Sequence, residues 1–136
     1  MAKRAKPEDI TILAADDDID ILRIIHKRLT QRGFNVVTAD DGEEAIEKIV
    51  TEKPDGVILD VMMPKLSGWE VCRYLRERPA HDAVGVVMLT AIGATLNELT
   101  SPLYGADEYL DKPIDLDDLD GALARILEKR AGLLLG

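Results

Sequence analysis

Basic residues are in the minority: 17 lysines and arginines face 26 aspartates and glutamates, a formal net charge of −9. A surface of that sign does not select a nucleic-acid backbone. One cysteine, Cys72, allows no internal disulfide and fits a reducing compartment. No apolar run approaches the roughly 20 residues that a membrane-spanning helix needs. The start, Met1 to Pro7, is basic but lacks the apolar core of a signal peptide. Residues 1–8 are therefore expected to form a flexible, solvated tail. There is no internal repeat and no low-complexity stretch. What these absences leave is one cytoplasmic domain, whose 46% of hydrophobic residues can bury a core.

What is present is an alternation of short apolar runs and amphipathic stretches, organised around residues 57–64. Val57, Ile58, Leu59 and Val61 read as a strand buried on both faces, as in the middle of a parallel sheet. Asp60 interrupts that run just before Met63-Pro64 turns the chain into a loop. Residues 10–15 form a first strand that runs into Asp16-Asp17-Asp18. A helix with Leu22, Ile25 and Leu29 on one stripe follows, and Gly33 stops it. A second strand at 34–38 leads to a helix carrying Ala45, Ile46, Ile49 and Val50, which ends before Pro54. After the Asp60 strand, Trp69, Cys72 and Leu75 form the buried stripe of a helix that stops before Pro79. Residues 84–89 make a fourth strand ending at Thr90, 94–104 a weaker helical stretch, and 107–110 a fifth strand before Asp111-Lys112-Pro113. The last helix has Leu116, Leu119, Leu123 and Ile126 on one stripe. Strands alternating with helices, without a hairpin signal, predict right-handed crossovers between parallel strands. The expected fold is a doubly wound α/β sheet of five strands with helices on both faces. It spans residues 9–130, with 131–136 a tail or linker.

The polar residues fall at the strand ends. Asp16 and Asp17 end the first strand, Asp60 the third and Thr90 the fourth, while Lys112 follows the fifth. In a parallel sheet these ends share one edge, where ligands gather. Clustered carboxylates repel unless a cation joins them. Hard oxygen donors with no His or Cys beside them fit Mg²⁺. A lysine adds a positive point charge, and a threonine hydroxyl adds a donor. Together they suit a transferring phosphoryl group, with the Asp60 carboxylate as nucleophile. His26 and His81 lie far from this set in sequence and are not expected as ligands. Trp69 and Cys72 are expected in the core.

Five motifs occur in order: Ala15-Asp16-Asp17-Asp18; Leu59-Asp60-Val61-Met62-Met63-Pro64, with Gly68 closing its loop; Leu89-Thr90-Ala91; Gly105-Ala106-Asp107; and Tyr109-Leu110-Asp111-Lys112-Pro113. From about Asp9 to Glu128 the sequence resembles a two-component response regulator receiver domain of the CheY-like kind. The resemblance implies a flavodoxin-like sheet with strand order 2-1-3-4-5. It implies that Asp60 is the phosphoacceptor, served by the phosphohistidine of a sensor histidine kinase or a histidine phosphotransfer protein. Asp17, Asp60 and the backbone carbonyl of Met62 would bind Mg²⁺ directly, and Asp16 mainly through water. Thr90 and Lys112 would contact the phosphoryl oxygens, beside a small Ala91. A cis peptide before Pro113 would aim the lysine inward. Phosphorylation would draw Thr90 inward and change the rotamer of Tyr109. The altered surface, formed by 94–104, the fifth strand and the last helix, would control an effector protein or a tethered output domain. The chain would not be an enzyme beyond taking and losing its own phosphoryl group, and no direct contact with nucleic acid or membrane is expected.

Pro102 departs from the pattern, because inside a helix a proline costs about 3 kcal/mol or more. The 94–104 helix is therefore expected to be irregular. Asp115, Asp117, Asp118 and Asp120 crowd the start of the last helix, where negative charge suits the macrodipole, and Asp18 and Asp20 can serve the first helix in the same way. Leu133-Leu134-Leu135 should not stand exposed; they fold back, join a dimer or lead to an output domain. Two alternatives stand beside the switch. A pseudo-receiver working by protein contacts alone would not need the intact Asp17, Asp60, Thr90 and Lys112 set. An enzyme or carrier of the same topology would show phosphate loops after the first strand, or a second acid where Met62 stands.

Overall fold

In the computed structural model, which describes residues 2–91 and 105–135, the apolar runs pair side by side. After a short strand Lys3–Ala5 (β1), the main sheet is built from Thr11–Ala15 (β2), Asn35–Ala39 (β3), Gly56–Asp60 (β4), Gly85–Thr90 (β5) and Glu108–Asp111 (β6). All are parallel, in the order β3-β2-β4-β5-β6. Counted from the first strand of this sheet, that is the expected 2-1-3-4-5. The helices are Ile19–Gln31 (α1), Gly42–Glu52 (α2), Gly68–Arg76 (α3) and Leu116–Ile126 (α4). The 94–104 stretch, Pro102 included, lies outside the described residues. Among the described residues no helix is long and apolar enough to cross a membrane.

Every residue of β4 and β5 is buried, as their continuous apolar runs require of central parallel strands. Alternate side chains point to opposite faces, which divides the core in two. On one face Ile12, Ala14, Ile58, Val87 and Leu89 pack against the stripes of α1 and α4. On the other, Leu13, Val57, Leu59, Val86 and Met88 meet α2 and α3. Each helix begins on a capping side chain. Asp18 accepts from the N–H groups of Asp20 and Ile21, Asp41 from Glu44 and Asp115 from Asp118, while Ser67 and Glu70 close a capping box. Two predicted stripe residues shift. Val50 is exposed, because Ala45 and Ile49 already fill the inner face of α2. Trp69 is only partly buried; it lies in the first turn of α3 and faces the sheet edge, while Val71 joins Cys72 and Leu75 inside.

The ends of the chain depart furthest from expectation. Instead of a flexible tail, β1 pairs in parallel with Leu133–Leu135 (β7), setting Lys3 opposite Leu133 and Ala5 opposite Leu135. The Lys3 N–H donates to the Gly132 carbonyl at 2.7 Å, and Gly132 turns the chain into β7 with a φ of 69°. Leu133, Leu135 and Ala5 pack on the α1–α4 core. The leucine tail needs cover for its side chains and partners for its backbone, and β1 supplies the latter. Within this chain the leucines fold back on the body.

Two ion-pair ties fix elements away from the acidic edge. Asp107, just before β6, accepts from the Val86 N–H at 2.9 Å and from Arg76 Nη2 at 2.9 Å. Its second oxygen accepts from Arg130 Nε and Nη2 at 3.2 and 3.1 Å. Arg76 also donates to the carbonyls of Gly105, Asp82 and Val84. On the other face, Arg28 of α1 bonds Asp117 and Asp120 of α4, so these acids bridge helices as well as begin one.

Candidate functional site

β2, β4 and β5 end side by side, which brings Asp16, Asp60 and Thr90 to one edge; β6 delivers Lys112 to the same place. Asp16, Asp60 and Thr90 are the buried polar residues of the described core. Lys112 Nζ lies 3.0 Å from Asp16 Oδ2 and 3.3 Å from Asp60 Oδ1. The other Asp16 oxygen accepts the Asp18 N–H at 2.9 Å. Asp17 stands exposed at the mouth, and one oxygen from each of Asp16, Asp17 and Asp60 lies within 4.8 Å of the others. Met62 follows on the loop; its backbone amide favours the Asp60 charge, while its side chain is 70% exposed. The Lys112–Pro113 peptide is cis, and the Lys112 N–H donates to the Thr90 carbonyl at 2.9 Å.

The loop after Asp60 is held by close backbone approach. The Gly68 N–H donates to the Val61 carbonyl at 2.9 Å, and a Cβ at Gly68 would run into the Asp60 carbonyl oxygen. Lys65 takes a left-handed φ of 70°, and its ammonium pairs with Asp41 at 3.4 Å, tying the loop to the start of α2.

Three carboxylates against one ammonium leave the cluster short of positive charge. Burial first, and then repulsion from Asp16, push the Asp60 carboxyl up to about 6, against the lowering pull of Lys112. Burial disfavours the Lys112 charge, yet its bonds and attraction to Asp16 and Asp60 prevail and raise it above the ordinary lysine range. Oxygen donors with unbalanced negative charge fit a hard divalent cation.

Tyr109 is half-buried on β6, with its ring centroid 6.1 Å from that of Trp69. His26 is exposed on α1, and His81 stacks on Tyr74; neither enters the acidic cluster. Cys72 is a buried thiol, which burial pushes up to about 12, so it packs and does not react. The Asp107 tie was missed in the sequence. Its signal was Arg76, which sits four residues after Cys72 and so on the buried stripe of α3.

Residues 12–124 match the family described as the response regulator receiver domain. Response regulator MprA of Mycobacterium leprae is 42% identical over 115 residues, covering 85% of this chain and 48% of that protein. The alkaline phosphatase synthesis transcriptional regulatory protein PhoP of Bacillus subtilis is 39% identical over 118 residues, covering 87% of this chain and 48% of that protein. The chain thus spans about half the length of the curated relatives it matches. Among solved structures, the chemotaxis protein CheY4 of Vibrio cholerae superposes with a TM-score of 0.80 at 31% identity, covering 86% of this chain and 98% of that one. The matched span runs through every strand of the main sheet and takes in Asp16, Asp60, Thr90 and Lys112. The chain belongs to the response regulator receiver domains of two-component signalling.

Proposed function

We propose that the chain is a cytoplasmic, phosphorylation-activated switch in which Asp60 takes a phosphoryl group from the phosphohistidine of a sensor kinase or a phosphotransfer protein. The observation that carries this reading is the meeting of Asp60 with Lys112 Nζ, 3.3 Å away, inside a buried acidic cluster at the sheet edge. An Asp60 oxygen attacks phosphorus in line with the donor imidazole, the phosphorus–nitrogen bond breaks, and its electron pair returns to the ring. Asp60 must be ionised to attack. With its carboxyl near 6 it is mostly so at neutral pH, favoured by the Lys112 ammonium and the Met62 backbone amide. Lys112 then shifts its charge to the phosphoryl oxygens, and the Thr90 hydroxyl, at the end of β5, serves as a donor to them. Asp16 keeps the ammonium at the mouth through its 3.0 Å contact.

Asp17, Asp60 and the Met62 carbonyl, with Asp16 behind them, are the groups that would hold Mg²⁺. When bound, that ion supplies positive charge beside the phosphoryl oxygens and relieves the repulsion among the carboxylates. The chain's own chemistry is limited to Asp60, so it is the carrier of the group and not an enzyme for a second substrate. The consequence is a changed surface around Thr90, Tyr109, β6 and α4, read by an effector or an attached output domain. The transcriptional role in the name of PhoP supports an output of that kind.

Intact mass after incubation with acetyl phosphate and Mg²⁺ tests the reading. A gain of one phosphoryl group, lost in Asp60→Asn and in chelator, is expected. No gain under any condition overturns it in favour of a pseudo-receiver.

A further inference from the structure

Trp69 takes no part in the acidic cluster, yet it lies between two segments that do. Its backbone follows Gly68, which is bonded to the Val61 carbonyl at 2.9 Å and pressed so closely on the Asp60 carbonyl that no side chain fits between them. The start of α3 is further fixed by the Ser67–Glu70 capping box. Trp69 is therefore anchored to the peptide that carries Asp60. Its indole reaches across to Tyr109, with ring centroids 6.1 Å apart and planes tilted by 52°, a geometry within the range of attractive aromatic pairs. Tyr109 stands opposite Met88 on β5, the Met88 methyl lies against Gly68, and both rings pack on the core cluster that holds Met88. Further along the chain from Tyr109, Lys112 returns to Asp60 at 3.3 Å. These contacts close a circuit, from Asp60 to Gly68 through backbone, from Trp69 to Tyr109 through the rings, and from Lys112 back to Asp60 through charge.

We propose that Trp69 is the positioning residue of Tyr109: its indole sets where the tyrosine ring rests and couples any movement of that ring to the Asp60 loop. The consequence for signalling rests on the phosphorylation reading above; the contact itself does not. Among the described residues β6 is the edge strand of the sheet, paired with β5 alone, so its neighbours in the sheet hold it from one side. An aromatic pair of this kind shifts an equilibrium between two ring positions by about two- to twelvefold.

The test uses the full chain labelled with 3-fluorotyrosine and read by fluorine NMR. The chain has three tyrosines, at 74, 104 and 109, and Tyr109→Phe identifies the signal of interest. Trp69→Leu is expected to move or broaden the Tyr109 signal while Tyr74, stacked on His81, keeps its own; Trp69→Phe should restore most of the original position. An unchanged Tyr109 signal in Trp69→Leu overturns the proposal. Should that variant fail to fold, Tyr109→Leu gives the reciprocal readout, since Trp69 is the single tryptophan of the chain. Its emission should shift, and an unshifted emission is equally fatal. Neither arm needs a phosphodonor, so each stands even if the mass test fails. With acetyl phosphate and Mg²⁺ added, the tryptophan emission and the Tyr109 signal should change together at the rate of phosphoryl uptake. Uptake by mass with both signals static would refute the coupling and leave the phosphorylation reading intact.

Discussion

Asp60 sits where its own charge is unwelcome. Its carboxyl, ordinarily near 3.8, is raised to about 6 by burial and by Asp16. The native chain therefore holds this proton to higher pH than the unfolded chain, and stability falls as pH climbs from about 4 through 6. Asp60→Asn removes that cost. In metal-free buffer the variant is expected to exceed the wild type by about 1–2 kcal/mol at pH 8, after allowance for solvent at the open mouth. The gain should shrink through pH 6 and vanish below about 4; urea titrations across that range will show it, and a gain independent of pH would mean that the cost does not lie in the Asp60 charge. Gly68→Ala is the opposite case. Its methyl would meet the Met88 side-chain end, which can give way, and the Asp60 carbonyl, which cannot move without shifting the backbone, so a loss of about 1–3 kcal/mol is expected in the same titration. Asp16, Asp17, Asp60 and Lys112 were legible in the sequence because each is a charge set at the end of an apolar run. The need for glycine at 68 was not, since it arises from a carbonyl eight positions earlier that only the folded loop brings near.

Among the elements, the ties differ in depth. Asp107 is almost wholly buried under Arg76, Arg130 and the Val86 N–H. Asp107→Ala leaves two guanidinium groups without their carboxylate at the junction of α3, β5, β6 and the turn after α4. A loss of about 3–5 kcal/mol in urea unfolding is expected. The Arg73–Glu77 pair on the outer face of α3 is as short, at 3.0 Å, but exposed. Arg73→Ala should change stability by less than about 0.5 kcal/mol. Two equal losses would mean that burial does not separate these pairs. The central strands were readable because burial on both faces leaves a continuous apolar run, and α1 and α4 because their stripes are clean. Helix stripes proved coarser where a residue lies at a helix end. Trp69 looks like core by spacing, and it does pack on the core, but its place in the first turn leaves it half-buried at the margin, beside the edge strand. Arg28 reads as surface charge, and only the approach of α4 turns it into a bridge.

At the scale of the molecule, β1 and β7 join segments that lie at opposite ends of the sequence. No periodicity marks Lys3-Arg4-Ala5 as a strand, and its partner is more than a hundred residues away, so the pairing could not be read from the sequence. Deleting residues 2–5 is expected to bring the Leu133–Leu135 amides to open-chain exchange rates while β4 and β5 stay protected, as hydrogen-exchange mass spectrometry will show. Continued protection of the leucines would mean that the α1–α4 core alone holds them. The parallel sense of this pair has a mechanical consequence. Lys3 faces Leu133 and Ala5 faces Leu135, so tension applied across the two termini enters β1 at one end of the pair and leaves β7 at the other. The strands are then loaded in shear, their hydrogen bonds stretch together instead of unzipping in turn, and a tug at the ends is borne by this small clasp before it reaches the sheet that carries Asp60.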